Sequence, residues 1–318
     1  MTTAARVSYA FIVAVIVLAG ATHLATPLVA VLFSYFALRR LRLSKNRWLS
    51  LALFLVLVAI VLYGIGLLIA QAVVALPKIA AESIPPLISY AQSHGFELPF
   101  YDLESLKTTI LDVTKDEFLF VGNFARAAGR QFVFVIIAIV VAMSLFLRSE
   151  QEPTLPGDNP NLFTALGTEI RNRFWLFYES FERVIGAQLT ISGINTTLTA
   201  IFVATIGLKY FPLVVGLTFF CGLLPIVGNL ISNSVIVGIA FTSSARAAIA
   251  ALVFLVLLHK LEYFLNSKII GSRIKNPMWL TLLALVVGER FMGIPGMILA
   301  PVVLDYVKVE MSRLPPPQ

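Results

Sequence analysis

The sequence predicts an all-α, polytopic integral membrane protein with broken or re-entrant helices and amphipathic interfacial helices. Only 13% of the 318 residues are charged, about half of the ~25% that is usual in soluble domains. The chain also contains long apolar runs, and residues 48–76 include no Asp, Glu, Lys, Arg or His. Runs of about 18 or more apolar residues indicate membrane-spanning helices.

The composition excludes several other classes of protein. The formal net charge is +7, but the Lys and Arg residues lie in short clusters between apolar runs, which is not the pattern of a nucleic-acid-binding surface. The single cysteine, Cys221, can form neither an intrachain disulfide nor a cysteine-based metal site. Phosphate-binding loops and nucleophile elbows are absent from the sequence. We therefore expect no enzyme activity, no metal, no cofactor and no nucleic-acid partner.

Residues 1–76 are predicted to form the N-terminal membrane helices. Residues 8–37 are apolar but interrupted around His23 and Pro27, and proline disfavours helix at the residue before it. Two short helices are therefore favoured over one kinked span, and the pattern allows both. Residues 48–76 would form a helix of about 43 Å, longer than the ~30 Å hydrocarbon core. The loop before it is basic and is predicted to be cytoplasmic, with Arg39, Arg40, Arg42, Lys45 and Arg47.

Residues 77–130 are predicted to form an extracytoplasmic helical excursion. This segment is more acidic than basic, and Pro85-Pro86 punctuates it as a turn or helix break would. Asp102 can cap a short amphipathic helix that follows it. Residues 131–148 then cross the membrane back to the cytoplasm.

Residues 149–186 are predicted to form a cytoplasmic amphipathic arm. Glu169 with Arg173, and Glu179 with Arg183, have the i,i+4 spacing of supportive ion pairs on a helix. An aromatic face suits the membrane interface or packing against neighbouring spans, and the pattern allows both. The residues of that face are spaced three or four apart: Phe163, Leu166, Ile170, Phe174, Phe177, Phe181 and Ile185.

Residues 187–318 are predicted to form a C-terminal membrane region. Its candidate spans are residues 187–206, 211–227, 231–243 and 247–265. Two shorter runs follow, residues 278–290 and 294–307, each only about 20 Å long as a helix. This is too short for two ordinary crossings, so we expect a re-entrant or broken hairpin. We expect seven to nine membrane segments in all, with both termini in the cytoplasm.

The span at residues 187–206 carries polar side chains on one face. Gln188, Ser192, Asn195 and Thr199 are spaced four, three and four residues apart, which places them in one stripe along a helix. Polar side chains within a membrane either bond to neighbouring helices or face a water-filled cavity. The stripe therefore either holds helices together or lines a substrate path.

A helix break is predicted next to this stripe. Pro225 removes a backbone hydrogen bond and Gly228 permits unusual dihedral angles, and Asn229 and Asn233 follow one helical turn apart. Discontinuous helices of this kind often build the binding sites of transporters. A simple kink is the alternative. Pro277, Gly293 and Gly296 mark further predicted breaks.

Four charged residues are predicted to lie at or near membrane depth: Glu262, Glu289, Arg290 and Asp305. An ionised side chain at mid-span costs roughly 2.5–3.5 kcal/mol on insertion scales, so its presence indicates pairing or function. Glu289 and Arg290 are sequence neighbours and cannot face each other on one helix. We therefore expect Arg290 to reach Glu262 or Asp305 from another segment.

Three stretches together resemble the autoinducer-2 exporter family of bacterial membrane transporters. They are residues 222–229 (GLLPIVGN), Glu262 with residues 266–277 (NSKIIGSRIKNP), and residues 288–301 (GERFMGIPGMILAP). The resemblance covers nearly the whole chain in layout. It implies a helical transporter that forms a homo-oligomer such as a pentamer, and export of a small signalling molecule or sodium/proton antiport. The positions that match the family's motifs are Pro225, Gly228, Glu262, Gly271, Pro277, Gly293 and Gly296.

The sequence thus predicts a secondary transporter of the bacterial plasma (inner) membrane with proton or sodium coupling. Its partners would be the lipid bilayer, other copies of the chain, and a small-molecule or cation substrate. The alternative from another class is a membrane scaffold or envelope-maintenance protein without transport, for which the excursion and the arm would suit protein partners.

Overall fold

The computed structural model describes residues 3–42, 46–93, 95, 120–148, 162–224, 227–269 and 277–313, and this part of the chain is helical, without a strand. The all-α prediction is confirmed. The helix predicted after Asp102 lies outside the described residues. The described helices are α1 (Thr3–Ala21), α2 (Ala25–Arg40), α3 (Arg47–Ser93), α4 (Phe120–Arg148), α5 (Leu162–Ile206), α6 (Phe211–Gly222), α7 (Val227–Ser243), α8 (Ala245–Ile269), α9 (Met278–Met292) and α10 (Ile294–Arg313).

Several of these helices are suited to a membrane. Five of the described helices, α1, α3, α4, α5 and α8, contain stretches long and apolar enough to cross a bilayer, and α6 and α7 are shorter apolar helices. The chain is therefore a multi-pass membrane protein, as predicted from its apolar runs. The number of crossings, seven to nine, stays a prediction.

The chain divides into two compact units. The first comprises Met1–Val58, Ala127–Gly186 and Ile274–Gln318, and the second comprises Ala59–Arg126 and Ala187–Arg273. In the first unit, α2, the start of α3 and the end of α4 share an apolar core of buried residues: Leu38, Leu51, Phe54, Ala142 and Phe146. In the second, buried apolar residues of α3, α5, α6, α7 and α8 form a larger core.

The N-terminal apolar run forms two helices, as favoured from the sequence. Helix α1 ends at Ala21 and α2 begins at Ala25. Between them His23 has a φ of +56°, a left-handed conformation that a helix does not contain. Pro27 lies in the first turn of α2, where a proline's missing N–H costs no helical hydrogen bond.

The predicted break at Pro85-Pro86 is wrong. Helix α3 continues through both prolines and ends at Ser93. Each proline removes one helical hydrogen bond, but Ile84 and Ile88 on either side are buried. Burial of these apolar side chains offsets the lost bonds, and a helix leaves fewer backbone groups unpaired than an irregular segment would.

The predicted amphipathic arm is the first half of a continuous helix. Helix α5 runs through Gly186 without interruption. The middle of its aromatic face, including Phe177, Phe181 and Ile185, is buried, whereas Phe163 near its start is 80% exposed. The buried part supports the packing interpretation of this face for residues 177–185.

Ion pairs also attach this arm to α2. Arg40 contacts Glu182 at 3.2 Å, and the guanidinium of Arg39 lies 4.8 Å from the centre of the Trp175 ring. The predicted pair of Glu169 with Arg173 is present at 3.1 Å. The exposed pair of Arg40 with Glu182 is worth at most about 1 kcal/mol, so it orients the arm more than it stabilises it.

The last two helices form a tight hairpin with the predicted break at Gly293, whereas the break predicted at Gly296 is wrong, because Gly296 lies within α10. Gly293 joins α9 to α10 with a φ of +64°, which glycine adopts without strain. Helix α10 is longer than the predicted run of residues 294–307, because it continues through charged residues to Arg313. Pro277, another predicted break, lies directly before α9 in an extended conformation.

Close backbone contact in this hairpin gives a testable prediction. A Cβ atom added to Gly296 would lie 1.9 Å from the carbonyl oxygen of Gly288. Gly296→Ala should therefore force α9 and α10 apart and destabilise the protein by about 1–3 kcal/mol, as overpacking does. Thermal unfolding in detergent should show a lower midpoint. Gly167→Ala is the control, since nothing lies within 4 Å of its added Cβ, and equal midpoints for the two variants would contradict the prediction.

Candidate functional site

The centre of the candidate site is the carboxylate of Glu262 in the second unit. Asn229 of α7 donates from Nδ2 to both carboxylate oxygens, at 2.9 and 2.8 Å. Asn195 of α5 donates from its own Nδ2 to Oε2 at 3.1 Å. Three helices thus each contribute one residue to this cluster, which we call the Glu262 cluster. Because side-chain amides carry no charge, they solvate the carboxylate without neutralising it.

The polar stripe of α5 leads to this cluster. Gln188 donates from Nε2 to the carbonyl oxygen of Gly222 at 2.6 Å, and Ser192 donates from Oγ to the carbonyl oxygen of Phe219 at 2.7 Å. Both carbonyls belong to the last turn of α6, where carbonyl groups have no partner within the helix. These two side chains therefore cap the end of a helix that stops inside an apolar region.

Further along the stripe, polar atoms are buried without a partner. Thr199 and Asn195 are almost fully buried, and Oγ1 of Thr199 and Oδ1 of Asn195 have no hydrogen-bond partner among the described residues. Asn195 and Thr199 lie one turn apart on the same face of α5. An unpaired buried oxygen is costly unless water or an ion binds it. These two oxygens are therefore candidate binding positions for water or an ion.

The helix break predicted from the sequence positions Asn229. Helix α6 ends at Gly222 and α7 begins at Val227, while Pro225 lies outside the described residues. A Cβ on Gly228 would lie 1.6 Å from the carbonyl oxygen of Cys221, so only glycine allows the two helices to approach this closely. Asn229 follows directly in the first turn of α7 and reaches Glu262. The helix break therefore places the amide group of Asn229 beside the carboxylate of Glu262.

Asn233 does not join the Glu262 cluster. It lies one turn further along α7, in the wall of a separate open cavity of about 750 Å³ within the second unit. The six residues predicted for a substrate path thus divide into two groups. Five belong to the stripe and the Glu262 cluster, and Asn233 belongs to the cavity.

The other predicted acid, Asp305, has a different partner from the one expected. Arg183 of α5 donates from Nε and Nη2 to Oδ2 of Asp305, at 3.1 and 2.8 Å, within the first unit. The Asp305 side chain is 1% exposed and that of Arg183 is 31% exposed. The predicted pairing of Asp305 with Arg290 is therefore wrong, and so is the predicted pairing of Arg183 with Glu179. A buried carboxylate is more costly than a surface one, and it takes the guanidinium that can reach it.

Glu289 and Arg290 are both exposed on α9. Neither has an ion-pair partner among the residues that the structure describes. Arg290 is therefore not the counter-charge of a buried acid in this part of the chain, and the four predicted charged residues do not form the single network expected from the sequence.

A second buried ionic cluster was missed by sequence reasoning. In the first unit, Arg173 of α5 binds Glu310 of α10, and its Nε donates to Oγ of Ser8 at 2.7 Å. The hydroxyl of Tyr9 also donates to Glu310, at 2.5 Å. The available signal was two adjacent polar residues, Ser8 and Tyr9, in the mostly apolar α1, but nothing in sequence spacing connects them to partners so far along the chain. Gly271, a motif position, lies outside the described residues.

Comparison with known proteins adds an independent finding. The family described as AI-2E family transporter matches residues 7–315. A protein of Bacillus subtilis (strain 168), YdbI, is 26% identical over 234 residues and is named as a candidate transport protein. That alignment covers 70% of this chain and 66% of YdbI, slightly less than two thirds of its length.

Proposed function

The chain belongs to the AI-2E transporter family of membrane transport proteins, and from that premise we propose that it is a secondary transporter driven by a cation gradient. The transported species is a small solute that leaves the cell or a cation that is exchanged for protons. We place the coupling cation, a proton or sodium, at Glu262. We also place the protein in the bacterial inner membrane, as its family suggests, with both termini in the cytoplasm, as the distribution of basic residues favours.

The observation that carries this proposal is the Glu262 cluster. Glu262 lies in the part of α8 that is long and apolar enough to span a bilayer. It lies near the C-terminal end of that stretch, and its described contacts are two neutral amides rather than a basic residue. A carboxyl group whose described partners are uncharged amides is a site to which a cation can be added and from which it can be removed.

The cluster also provides a way to couple cation binding to a conformational change. In the observed arrangement Oε2 accepts two hydrogen bonds and Oε1 accepts one, so a proton added at the remaining acceptor position of Oε1 would turn Glu262 from an acceptor into a donor. A proton on Glu262 would be donated to an acceptor such as Oδ1 of Asn195. Sodium would instead bind the carboxylate together with amide oxygens, which are the hard ligands that it prefers. Either event changes the bonds that link α5, α7 and α8.

A cation can shift the equilibrium between two conformations only if it binds one of them better. Asn195 and Asn229 bind Glu262 in the observed conformation, and in our proposal these bonds change in the second conformation. The Glu262 cluster therefore gives the cation different affinities for the two conformations. Oδ1 of Asn195 and Oγ1 of Thr199, the buried oxygens of the stripe without a described hydrogen-bond partner, lie next to it, and we assign these two atoms to the solute path. We assign Asp305 a structural role, because Arg183 already neutralises it.

Purified protein in liposomes tests the proposal. A pH-sensitive dye inside the vesicles is followed while sodium and then potassium gradients are imposed. We expect a saturable proton flux that depends on one of these cations and is absent from protein-free vesicles. If neither gradient drives a flux while the protein is folded in the vesicles, cation exchange is excluded, and release of metabolites from intact cells would then decide between proton-coupled solute export and a non-transporting scaffold.

A further inference from the structure

The open cavity of the second unit is separate from the Glu262 cluster and has its own chemistry. It lies among α3, α7 and α8 and has a volume of about 750 Å³, within the ~300–1,000 Å³ range of typical small-molecule sites. Its polar lining includes Ser83, Asn233, Ser234, His259 and Lys260, and most of the remaining lining is aliphatic or aromatic.

The basic residues of the lining lie at one end of the cavity. Helices α7 and α8 are consecutive and joined at Ser244, so distance from that residue along each helix gives the position along the cavity. Phe241 lies next to the joint and Leu252 about 12 Å from it, whereas Lys260 lies 16 residues beyond it, about 24 Å at 1.5 Å per residue. Leu230 of α7 also lies towards the far end, so the lining is apolar towards the joint and carries both basic and apolar residues at the far end.

The cavity opens on an apolar surface. Leu230, Leu252 and Val256 line the cavity and are also 70%, 48% and 56% exposed. These residues lie on apolar helices. The opening of the cavity therefore lies at the depth of the lipid acyl chains. The molecules present at that opening are phospholipids.

The charge at the far end selects among phospholipids. Lys260 and His259 are exposed and have no ion-pair partner among the described residues. Glu262, two residues further, is on a different face of α8 and binds Asn195 and Asn229 instead. Near the end of a span, a lysine extends towards the interface. The ammonium group of Lys260 then lies at the depth of the lipid phosphate groups. Basic residues at that depth attract anionic lipids.

We propose that this cavity binds one anionic phospholipid, with an acyl chain along Leu252 and Val256 and the headgroup phosphate at Lys260 and His259. The distance from the apolar end to the basic end is similar to the length of a lipid that lies parallel to the helices. Such a lipid spans about half of the ~30 Å hydrocarbon core plus one headgroup region. The site goes beyond the proposed transport function and does not depend on it.

Native mass spectrometry of the purified protein with added phosphatidylglycerol or phosphatidylcholine tests this site. The wild-type protein should retain phosphatidylglycerol about fivefold better than phosphatidylcholine, the preference expected from one basic residue near the membrane surface. Lys260→Gln should abolish that preference. Lys209→Gln is the matched control, since Lys209 is an exposed lysine of the same unit outside the cavity lining, and it should behave as wild type.

A second variant keeps the test decisive if Lys260→Gln does not fold. Val256→Trp fills the apolar groove without changing the charge, and it should lower retention of both lipids. Equal retention of the two lipids by the wild-type protein, or an unchanged preference in Lys260→Gln, would overturn the proposal. Displacement of the lipid by glycerol 3-phosphate would overturn it too, because the site would then bind a free anion. So would a change in subunit number in Val256→Trp with lipid retention unchanged, since another copy would then cover the groove.

Discussion

Glu262→Gln will reduce cation-driven flux in liposomes about tenfold or more while the protein stays folded. Glutamine has the size of glutamate but no charge, so it can accept hydrogen bonds from Asn195 and Asn229 and cannot release or bind a proton at neutral pH. Interactions with a charged group are worth about 1.5–3 kcal/mol, which corresponds to about tenfold or more in cation affinity. The flux is measured with the pH-sensitive dye, and the unfolding midpoint is measured on the same preparation.

Glu289→Gln is the matched control for this variant. It makes the same chemical change at an exposed glutamate that has no ion-pair partner among the described residues. We expect its flux to equal that of the wild-type protein. Normal flux in Glu262→Gln at every pH would show that the carboxylate plays no part in coupling, and an equal loss in Glu289→Gln would show that the assay responds to net charge.

Asp305→Asn will lower the free energy of unfolding but leave the cation-driven flux per folded protein nearly unchanged. Breaking a buried ion pair typically costs about 3–5 kcal/mol, but Arg183 is 31% exposed and water replaces part of the lost interaction. We therefore expect a loss of about 2 kcal/mol in the free energy of unfolding. Flux per folded protein should stay close to that of the wild-type protein, because Asp305 belongs to a structural pair in our account.

A double-mutant cycle with Arg183→Gln separates the pair from other effects. If the ion pair is the cause, the double variant should be less destabilised than the sum of the two single variants, with a coupling energy of about 0.5–3 kcal/mol. Additive losses would indicate that each residue acts through other contacts. Loss of cation-dependent flux in folded Asp305→Asn would show that Asp305 takes part in coupling.

Features that depend on local sequence could be predicted from the sequence. The apolar runs predicted the helices, the interruption around His23 and Pro27 predicted the two N-terminal helices, and Gly293 predicted the hairpin between α9 and α10. The same reasoning failed at Pro85-Pro86. A proline's local cost is fixed, but the burial of Ile84 and Ile88 that offsets it is a tertiary property, which neighbouring sequence does not reveal.

The candidate site was only partly predictable for the same reason. Helical spacing placed Gln188, Ser192, Asn195 and Thr199 on one face, but spacing does not show what a face contacts. Two of these residues bond to the end of α6, and Asn195 binds Glu262. The pairing of Arg183 with Asp305 joins residues 122 positions apart, and no sequence pattern in a single chain specifies such a pair.

The most direct test of the account is whether Glu262 itself takes up and releases the coupling cation. Infrared difference spectra of the reconstituted protein, recorded between low and high pH with and without sodium, detect the carbonyl band of a protonated carboxylic acid. We predict that one component of the carboxylic-acid band responds to sodium in the wild-type protein, is lost in Glu262→Gln, and is retained in Glu289→Gln. The same band at undiminished intensity in Glu262→Gln would contradict the assignment of the coupling site.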